Sequence, residues 1–370
     1  MTNNRILTIA LDCMGGDKAP QIVIEGADRI ASSNFNVKFL LFGDEKKIKP
    51  IINHCRFLKG RFELIHTSEV ISSDEKPSIA LRRFTKASMR LAIDAVKDGK
   101  ADVVISAGNT GALMAIAKVV LRPLEGIDRP AIVTAIPNRQ KKATIFLDMG
   151  ANVECDADVL FQFAVMGQAF ARTTLKIENP KIGVLNIGSE ELKGHDNVRN
   201  VANKIRNSIL NKDFYGYVEG DDIAKGTVDV IVTDGFTGNI TLKAIEGTAK
   251  FISSVIKDGF TSSILAKIGY LFAMNSLRQS SKTVDPRYHN GAMLVGLNGV
   301  VVKSHGSTDA LGFANAINVA ISLVENKINE KIIAELKQSL ESIALEPITI
   351  SKDEETSTEV NKIKKIINKL

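Results

Sequence analysis

The stretch Asp102-Val-Val-Ile-Ser-Ala-Gly-Asn-Thr-Gly111 decides the fold class of this chain, and it recurs as Asp229-Val-Ile-Val-Thr-Asp-Gly-Phe-Thr-Gly238. Each copy is a short β-branched apolar run, then Gly-x-Thr-Gly, then a helical pattern. A buried strand that feeds a helix through glycines leaves unpaired backbone N–H groups at the helix N-terminus, which attract anions and phosphate above all. The two copies predict a cleft that holds a phosphate-bearing ligand from two sides. The alternative is that such turns recur in any α/β protein for structural reasons.

The rest of the chain alternates between strand and helix patterns. Strands are predicted at Ile6–Asp12, Val37–Gly43, Phe62–His66, Asp102–Ser106, Ala131–Ile136, Thr144–Asp148, Lys181–Ile187, Tyr215–Glu219, Asp229–Thr233 and Val300–Ser304. Helices are predicted at Pro20–Ala31, Ser78–Val96, Thr110–Val120, Asp156–Arg172, Asn197–Leu210, Asn239–Ile256 and Asp309–Val324. This alternation is typical of a doubly wound α/β fold. We expect one large α/β domain over residues 1–345 and a tail extension over 346–370.

Polar, glycine-rich loops follow several of the predicted strands. They are Met14-Gly-Gly-Asp17, Gly150-Ala-Asn152, Gly188–Gly194 and His305–Asp309. In doubly wound folds, ligands bind at the carboxyl ends of strands, so we expect these loops to form an active-site rim along one edge of the sheet. The candidate phosphate- or substrate-binding residues are Asp12, Gly15, Gly16, Gly108, Asn109, Thr110, Gly111, Asp234, Gly235, Thr237, Gly238 and His305.

Composition narrows the classes of partner. Hydrophobic residues make up 44% of the chain and charged residues 24%, as in ordinary soluble domains. Aromatic residues are only 5% and Trp is absent, which argues against a stacking platform for carbohydrate or single-stranded nucleic acid. Lys and Arg alternate with acids instead of forming a block, so the net charge of +6 favours anionic substrates, acidic proteins or anionic lipid over nucleic acid.

The expected location is the cytoplasm. The first eleven residues lack the pattern of a signal peptide, and no run of 18 apolar residues occurs. The three cysteines, Cys13, Cys55 and Cys155, form no Cys-x-x-Cys and cannot all pair, which is typical of a reducing compartment.

An amphipathic helical insertion is predicted at about residues 251–282. Phe260, Ile264, Ile268 and Phe272 recur at every fourth position, with interruptions expected at the glycines 259 and 269, and lysines lie nearby. This stripe predicts either a helix packed on the core or a second subunit, or a surface that contacts a membrane or an acidic partner. In the tail, residues 351–370 predict a loosely attached helix.

Few chemistries remain for this chain. Gly-x-Gly-x-x-Gly, the P-loop motif, Gly-x-Ser-x-Gly and His-Glu-x-x-His are all missing, so we expect no cofactor and no metal. Lys193 lies in a glycine-flanked loop and is a candidate phosphate or oxyanion ligand. Asn239 is predicted as the first residue of a helix, where it could cap the helix or donate to a carbonyl oxygen. His305 is either structural or a ligand, and Cys13 has no evident base.

Seven motifs, in one collinear order over about residues 5 to 325, resemble the bacterial phosphate acyltransferases, the PlsX family. They are Met14–Asp17, Ser106–Leu113, Asp148–Asn152, Leu185–Gly194, Val218–Gly220, Asp234–Asn239 and Lys303–Ser307. The resemblance implies a homodimer with a fold like the isocitrate/isopropylmalate dehydrogenases and phosphotransacetylases. It also implies transfer of a long acyl group from acyl carrier protein to inorganic phosphate. A membrane glycerol-3-phosphate acyltransferase would consume the acyl phosphate in phospholipid synthesis.

The resemblance suggests roles for the candidate residues. Lys193 would neutralise phosphate and the oxyanion, Asn239 would position the thioester carbonyl, and the two glycine loops would donate amides. Cys13 stands where the family usually has alanine, and Asn290-Gly-Ala-Met-Leu replaces a glycine-rich stretch. Two rival functions remain: a short-chain phosphotransacetylase acting on acyl-CoA, and a non-catalytic anion-binding scaffold at the membrane.

Overall fold

The computed structural model describes residues 5–34, 36–345 and 366–367. Within these residues the strands join into one 11-stranded sheet. Numbered in chain order, they are β1 (Leu7–Asp12), β2 (Val37–Gly43), β3 (Phe62–His66), β4 (Val103–Ser106), β5 (Ala131–Pro137), β6 (Ala143–Leu147), β7 (Ile182–Leu185), β8 (Phe214–Val218), β9 (Val230–Val232), β10 (Ala292–Val295) and β11 (Val300–Lys303).

Helices cover both faces of this sheet. They are α1 (Gln21–Ser33), α2 (Glu45–His54), α3 (Pro77–Arg83), α4 (Ser88–Lys97), α5 (Thr110–Leu121), α6 (Ala157–Thr174), α7 (Asp196–Arg206), α8 (Gly220–Lys225), α9 (Gly235–Thr261), α10 (Ile264–Val284), α11 (Ala310–Glu325) and α12 (Ile328–Leu345), with a 3-10 turn at Ile209–Asp213. The core has two layers. Ile9 and Leu11 of β1 pack towards α1, α6 and α11, whereas Ala10 packs towards α4 and α5. Alternating side chains of buried strands thus fill both layers, and the predicted α/β fold class is confirmed.

The direction of the strands divides the sheet into two halves. The strand order is β3-β2-β1-β4-β11-β10-β5-β6-β9-β7-β8. The first five of these strands are mutually parallel, and so are the last four. Between the halves, β11–β10, β10–β5 and β5–β6 are three successive antiparallel pairs. The two parallel sets therefore run in opposite directions. The glycine loops therefore follow two sets of strands, and that they form one rim stays a prediction.

Several element boundaries differ from the predictions. The helix predicted at 78–96 is two helices, α3 and α4, separated at Phe84–Ala87. Strand β10 and helices α2, α8 and α12 were not predicted. Asp156 caps α6, because its side chain accepts the N–H of Val159 at 2.9 Å. Gly99, after α4, has φ +69°, a conformation that is typical of the glycine that ends a helix.

The helix that follows β9 begins earlier than predicted. Asp234 caps α9, and the helix starts at Gly235, so Asn239 lies in its second turn instead of at its first position. The helix also continues through Gly259, and the break before α10 falls at Ser262 and Ser263. Ser263 caps α10 by accepting the N–H of Ala266 at 3.1 Å. Gly269 lies inside α10 and does not interrupt it.

The helices α9 and α10 project large apolar side chains into solvent. They contact each other near their junction, where the rings of Phe260 and Tyr270 lie 5.4 Å apart. Leu265 and Phe272 are 81% and 86% exposed. No helix among residues 5–34 and 36–345 has the length and apolar character needed to cross a bilayer. The predicted tail helix lies outside the described residues, apart from Ile366 and Ile367, which pack against the core.

Candidate active site

The polar loops at the strand ends form two groups. The first loop cluster contains the loops that follow β1, β4 and β11, at residues 13–17, 107–109 and 304–309. The second loop cluster contains the loops that follow β6, β7 and β9, at residues 148–152, 186–194 and 233–234, together with the first turns of α9. Five inter-strand steps separate β4 from β9 in the sheet. The two Gly-x-Thr-Gly loops therefore belong to different clusters, and that they enclose one anion from two sides stays a prediction.

A buried carboxylate organises the first loop cluster. Asp12 ends β1 and is almost fully buried. Its oxygens accept hydrogen bonds from the hydroxyls of Ser88 and Ser106, each at 2.6 Å, and from the N–H of Met14 at 3.3 Å. Burial raises the pKa of Asp12, and these hydrogen bonds lower it in part. With its oxygens occupied inside the protein, Asp12 holds the strand ends in place.

Close backbone contacts explain the glycines of the first cluster. A Cβ at Gly15 would lie 2.6 Å from the amide nitrogen of Gly108, and one at Gly16 would lie 3.0 Å from the Cβ of Ala107. Gly16 also has φ +104°, which disfavours any other residue. The N–H of Gly108 donates to the hydroxyl of Ser106 at 3.0 Å. These glycines let three loops meet.

At the start of α5, the side chain of Asn109 is fully engaged. Its oxygen accepts the N–H of Ala112 at 3.0 Å as the helix cap. Its amide nitrogen donates to the carbonyls of Ser73 and Glu75 at 3.0 and 2.9 Å. The N–H groups of Thr110 and Gly111, the first two of the helix, have no acceptor within the helix. Neither N–H donates to another backbone group of the described residues.

Two basic side chains flank the first cluster at the end of β11. Burial lowers the pKa of Lys303 to about 8, although Asp12 and Asp17 act in the opposite direction. His305 is held by its own N–H, which donates to Asn290 Oδ1 at 2.9 Å. Burial lowers the pKa of His305 as well. Its Nδ1 accepts the N–H of Ser307 at 3.3 Å, which leaves Nε2 to carry the proton of the neutral ring.

The second loop cluster is also built around a buried acid. Asp148 follows β6 and accepts the N–H groups of Ala151 and Asn152 at 3.1 and 2.8 Å, and that of Ile132 across the sheet at 2.9 Å. Burial raises the pKa of Asp148, which these hydrogen bonds oppose. Asp148 therefore fixes the shape of the loop on which α9 rests.

Most amides at the start of α9 already have acceptors. The N–H of Gly235 donates to Asn152 O at 2.7 Å, and that of Gly238 donates to Asp234 O at 2.9 Å. Asp234 Oδ1 accepts the N–H of Thr237 at 2.8 Å, and Oδ2 accepts its hydroxyl at 2.9 Å. Among the N–H groups of residues 235–238, that of Phe236 alone has no acceptor in the described part of the chain. A role for Asp234, Gly235, Thr237 and Gly238 in binding phosphate or substrate stays a prediction.

Packing accounts for the two glycines of this turn. A Cβ at Gly238 would lie 1.9 Å from Asp148 O, and a Cβ at Gly235 would lie 2.5 Å from Asn152 O. Any larger side chain would therefore push α9 off the loop that Asp148 holds. The side chain of Asn239 lies beside this contact, with its Cβ 3.3 Å from the ideal Cβ position of Gly150. Asn239 is exposed, and Asp234 caps the helix in its place.

Lys193 lies in the neighbouring loop, which follows β7. Asn186 holds this loop closed, since its Nδ2 donates to Lys193 O at 3.1 Å. The ammonium of Lys193 is half-exposed and pairs with Glu190 at 2.8 Å, and this carboxylate raises the pKa of Lys193. The aliphatic stem folds over Gly188, where a Cβ would lie 2.5 Å from Lys193 Cδ. Because β9 lies between β6 and β7, Lys193 and Asn239 project from adjacent strand ends.

The helix α9 spans the gap between the clusters. It starts in the second cluster, and the charge of Lys243 acts on both Lys303 and His305 in the first cluster. Lys243 follows Asn239 by four residues, a rise of about 6 Å along the helix axis. Glu246 and Lys250, further along the same helix, also act on His305. One helix therefore carries groups that belong to each cluster.

Three comparisons identify the relatives of this chain. Residues 7–331 match the model of a family described as fatty acid synthesis protein. A phosphate acyltransferase from Rhodospirillum centenum is 54% identical over 342 residues, which cover 92% of this chain and 96% of that protein. One from Paramagnetospirillum magneticum is 52% identical and covers 88% and 93%. The chain belongs to the phosphate acyltransferase family. The predicted resemblance is confirmed, and the chain is an acyltransferase.

Solved structures support the fold of this phosphate acyltransferase. A phosphotransacetylase from Streptococcus pyogenes has a TM-score of 0.58 at 18% identity, and the match covers 86% of this chain and 94% of that one. A phosphotransacetylase from Staphylococcus aureus has a TM-score of 0.52 at 17% identity and covers 88% and 94%. At such identities the likeness concerns the α/β architecture alone.

Some groups of this phosphate acyltransferase site were not found from the sequence. Ser88 comes from a helix far from the glycine loops in sequence, so no local motif marks it as a partner of Asp12. Asn290 positions His305 and Ser304, the latter by a 2.8 Å bond from its Nδ2, yet its sequence context showed only a departure from the family. The thiol of Cys13 is buried, which raises its pKa well above the usual value and disfavours it as a nucleophile. Among the described residues, no group of three or more His, Cys, Asp or Glu could hold a metal.

Proposed function

We propose that this phosphate acyltransferase moves a long-chain acyl group from acyl carrier protein to inorganic phosphate by direct attack. A phosphate oxygen forms a bond to the thioester carbonyl carbon, the C–S bond breaks, and the carrier leaves as a thiolate that takes up a proton. The product is an acyl phosphate. No enzyme-bound acyl group is needed, because a thioester is electrophilic enough for an oriented phosphate to attack.

The observation that carries this proposal is the placement of three donors after two neighbouring strands, β7 and β9. They are the ammonium of Lys193, the side-chain amide of Asn239 and the free N–H of Phe236. A tetrahedral intermediate needs donors of this kind aimed at its oxyanion. Lys193 would also offset the charge of phosphate beside Asp234. Since its ion pair with Glu190 is exposed, exchanging the carboxylate for phosphate should cost little.

The first loop cluster is the proposed contact for the anionic arm of the donor. The amides of Thr110 and Gly111 lie in this cluster, as do His305 and Lys303. Lys243 and Lys250 of α9 add positive charge from the other side. Acyl carrier protein is acidic, so this charge would also raise the rate of encounter. The role proposed for Asp12, Gly15, Gly16, Gly108 and Asn109 is to hold this substrate-binding surface in shape.

The partners follow from the product. An acyl phosphate is a reactive acyl donor, and we propose that a membrane glycerol-3-phosphate acyltransferase consumes it on the way to phosphatidic acid. The chain would then work as a cytoplasmic homodimer in peripheral contact with the membrane. The exposed apolar side chains of α9 and α10, including Leu265 and Phe272, are the proposed contact surface, since they stand out from the domain with lysines beside them.

The experiment that tests the reaction uses two donors. The purified protein is incubated with phosphate and either palmitoyl-acyl carrier protein or acetyl-CoA, and acyl phosphate is trapped with hydroxylamine as the hydroxamate. We expect palmitoyl hydroxamate that depends on both phosphate and enzyme. Faster formation of acetyl hydroxamate would instead indicate a short-chain phosphotransacetylase. Binding of phosphate without turnover of either donor would indicate a non-catalytic anion-binding protein.

A further inference from the structure

Large apolar side chains are exposed to solvent on and beside the elements that carry Lys193 and Asn239. In the loop after β7, Ile187 is 79% exposed and Leu192 is 92% exposed. Val153, just after the loop that Asp148 shapes, is 69% exposed. On α9, Phe236 and Ile240 are likewise exposed. We call these five residues the apolar rim.

Single exposed apolar residues are ordinary, but a group of them at a polar site is not. The members of the apolar rim leave three strands that are neighbours in the sheet, β6, β9 and β7. Phe236 and Ile240 are four residues apart on one helix, so they share a face of α9 next to Asn239. Leu192 directly precedes Lys193.

The loop between β7 and α7 is held in a fixed shape. Asn186 accepts the N–H of Ile187 at 2.9 Å and donates to the carbonyl of Lys193. Arg199 donates to Gly194 O at 2.6 Å at the far end of the loop. The backbone on both sides of Ile187 and Leu192 is therefore fixed by hydrogen bonds, and both side chains are exposed.

We propose that the apolar rim binds the acyl chain of the donor and sets the preference for chain length. This inference rests on the proposed function. The carbonyl carbon of the donor reacts between Lys193 and Asn239, so the rest of the acyl chain must extend from there over the protein surface. Binding is stabilised where the methylene groups of the chain cover apolar side chains. Two members of the rim, Leu192 and Phe236, are close in sequence to Lys193 and Asn239. The rim therefore starts where the acyl chain would start.

The test compares a long and a short donor on matched variants. Leu192→Asn removes apolar contact at a side chain that the fold does not bury. Ile6→Asn, at a position 61% exposed before β1, is the control. Turnover is measured with palmitoyl- and butyryl-acyl carrier protein. We expect Leu192→Asn to lower kcat/KM for the palmitoyl donor about tenfold, equivalent to about 1.4 kcal/mol. The butyryl donor should change less than twofold, and Ile6→Asn should change neither.

The other outcomes overturn the inference in separable ways. If Leu192→Asn lowers kcat/KM equally for both donors and its assembly in solution has a lower molecular mass than the wild type, the rim is an interface between copies of this chain. If kcat/KM falls equally for both donors while the mass of the assembly is unchanged, Leu192 has a role in the reaction and not in binding the acyl chain. If the wild type transfers neither acyl group, the proposed function fails as well. As a second measurement, a palmitoyl-CoA with a diazirine at the chain end should label residues of the rim, and labelling confined to α10 would contradict the proposal.

Discussion

At the scale of single residues, Asn239 shows what the sequence reveals and what it hides. Its place after Gly238 made it a candidate. Its position in the second turn of α9, however, depends on the helix cap at Asp234. When the two copies of the motif are aligned, this cap lies two residues earlier than the cap at Asn109. The two copies share a sequence register and differ in where the helix begins. A pattern of glycines predicts a strand-to-helix turn; which amides stay free depends on contacts from distant loops.

For Asn239 we predict a defect in turnover. Asn239→Ala should lower kcat for acyl phosphate formation by ~10²–10³, the usual effect of losing one oxyanion donor. The KM for phosphate should change little, because Lys193 remains. Steady-state rates at varied phosphate measure both quantities, with Asn203→Ala on the surface of α7 as the control. A rise in the KM for phosphate at unchanged kcat would reverse the role given to Asn239.

Gly238 tests the packing role of the glycines. Gly238→Ala should lower the free energy of unfolding by at least about 3 kcal/mol, because its Cβ would overlap Asp148 O. Gly247→Ala, on the same helix with open space around it, should raise stability by about 0.5–1 kcal/mol. Urea unfolding measures both variants. Equal stability of the two would show that α9 does not rest on the Asp148 loop as described.

The lowered pKa of Lys303 predicts that the free energy of unfolding depends on pH. Its pKa in the folded protein is about 8, against 10.5 for an ordinary lysine. Between about pH 8 and pH 10.5, the Lys303 side chain binds more protons in the unfolded chain than in the folded protein. The free energy of unfolding of the wild type, relative to that of Lys303→Met, should therefore rise with pH, by up to about 3 kcal/mol. Urea unfolding of both proteins at pH 7.5 and pH 10 measures the difference. A difference that stays constant, or that falls with pH, would mean that Lys303 is solvated.

At the scale of elements, most strands could be predicted but their directions were not. All ten predicted strands match an observed strand within two residues at each end, and only β10, among the strands of the described residues, was not predicted. A signal for direction was nevertheless present. Residues 138–142 join β5 to β6, and residues 296–299 join β10 to β11. Such short links cannot make a parallel crossover, which needs a dozen or more residues. Connection length, read together with the strands, would have shown the reversal.

The exposed faces of α9 and α10 predict binding to vesicles. The protein should float with vesicles that contain phosphatidylglycerol, because apolar side chains and the lysines beside them act together. Leu265→Asp should abolish flotation. Val119→Asp, which puts the same charge at an exposed apolar position of α5, should leave it intact. Flotation that survives Leu265→Asp, or that is lost in both variants, would count against the α9–α10 surface.

At the scale of the whole molecule, the site is made by one sheet with two opposed halves. Because the two halves of the sheet are separate parallel sets of strands, the candidate residues of the family motifs fall into two loop clusters. Helix α9 carries groups that belong to both clusters. The sequence alone made Lys193 and Asn239 candidates because their glycine-rich surroundings are local. It could not separate the clusters, because that separation depends on three antiparallel pairs at the middle of the sheet.

The central claim is that acyl phosphate forms at the second loop cluster. The most direct measurement is ³¹P NMR of phosphate with palmitoyl-acyl carrier protein, using the wild type, Lys193→Ala and Lys100→Ala, the last a surface lysine paired with Asp98. The account predicts an acyl phosphate resonance that grows with the wild type and Lys100→Ala and slows at least a hundredfold with folded Lys193→Ala. An equal rate for Lys193→Ala, or no acyl phosphate with the wild type, would contradict it.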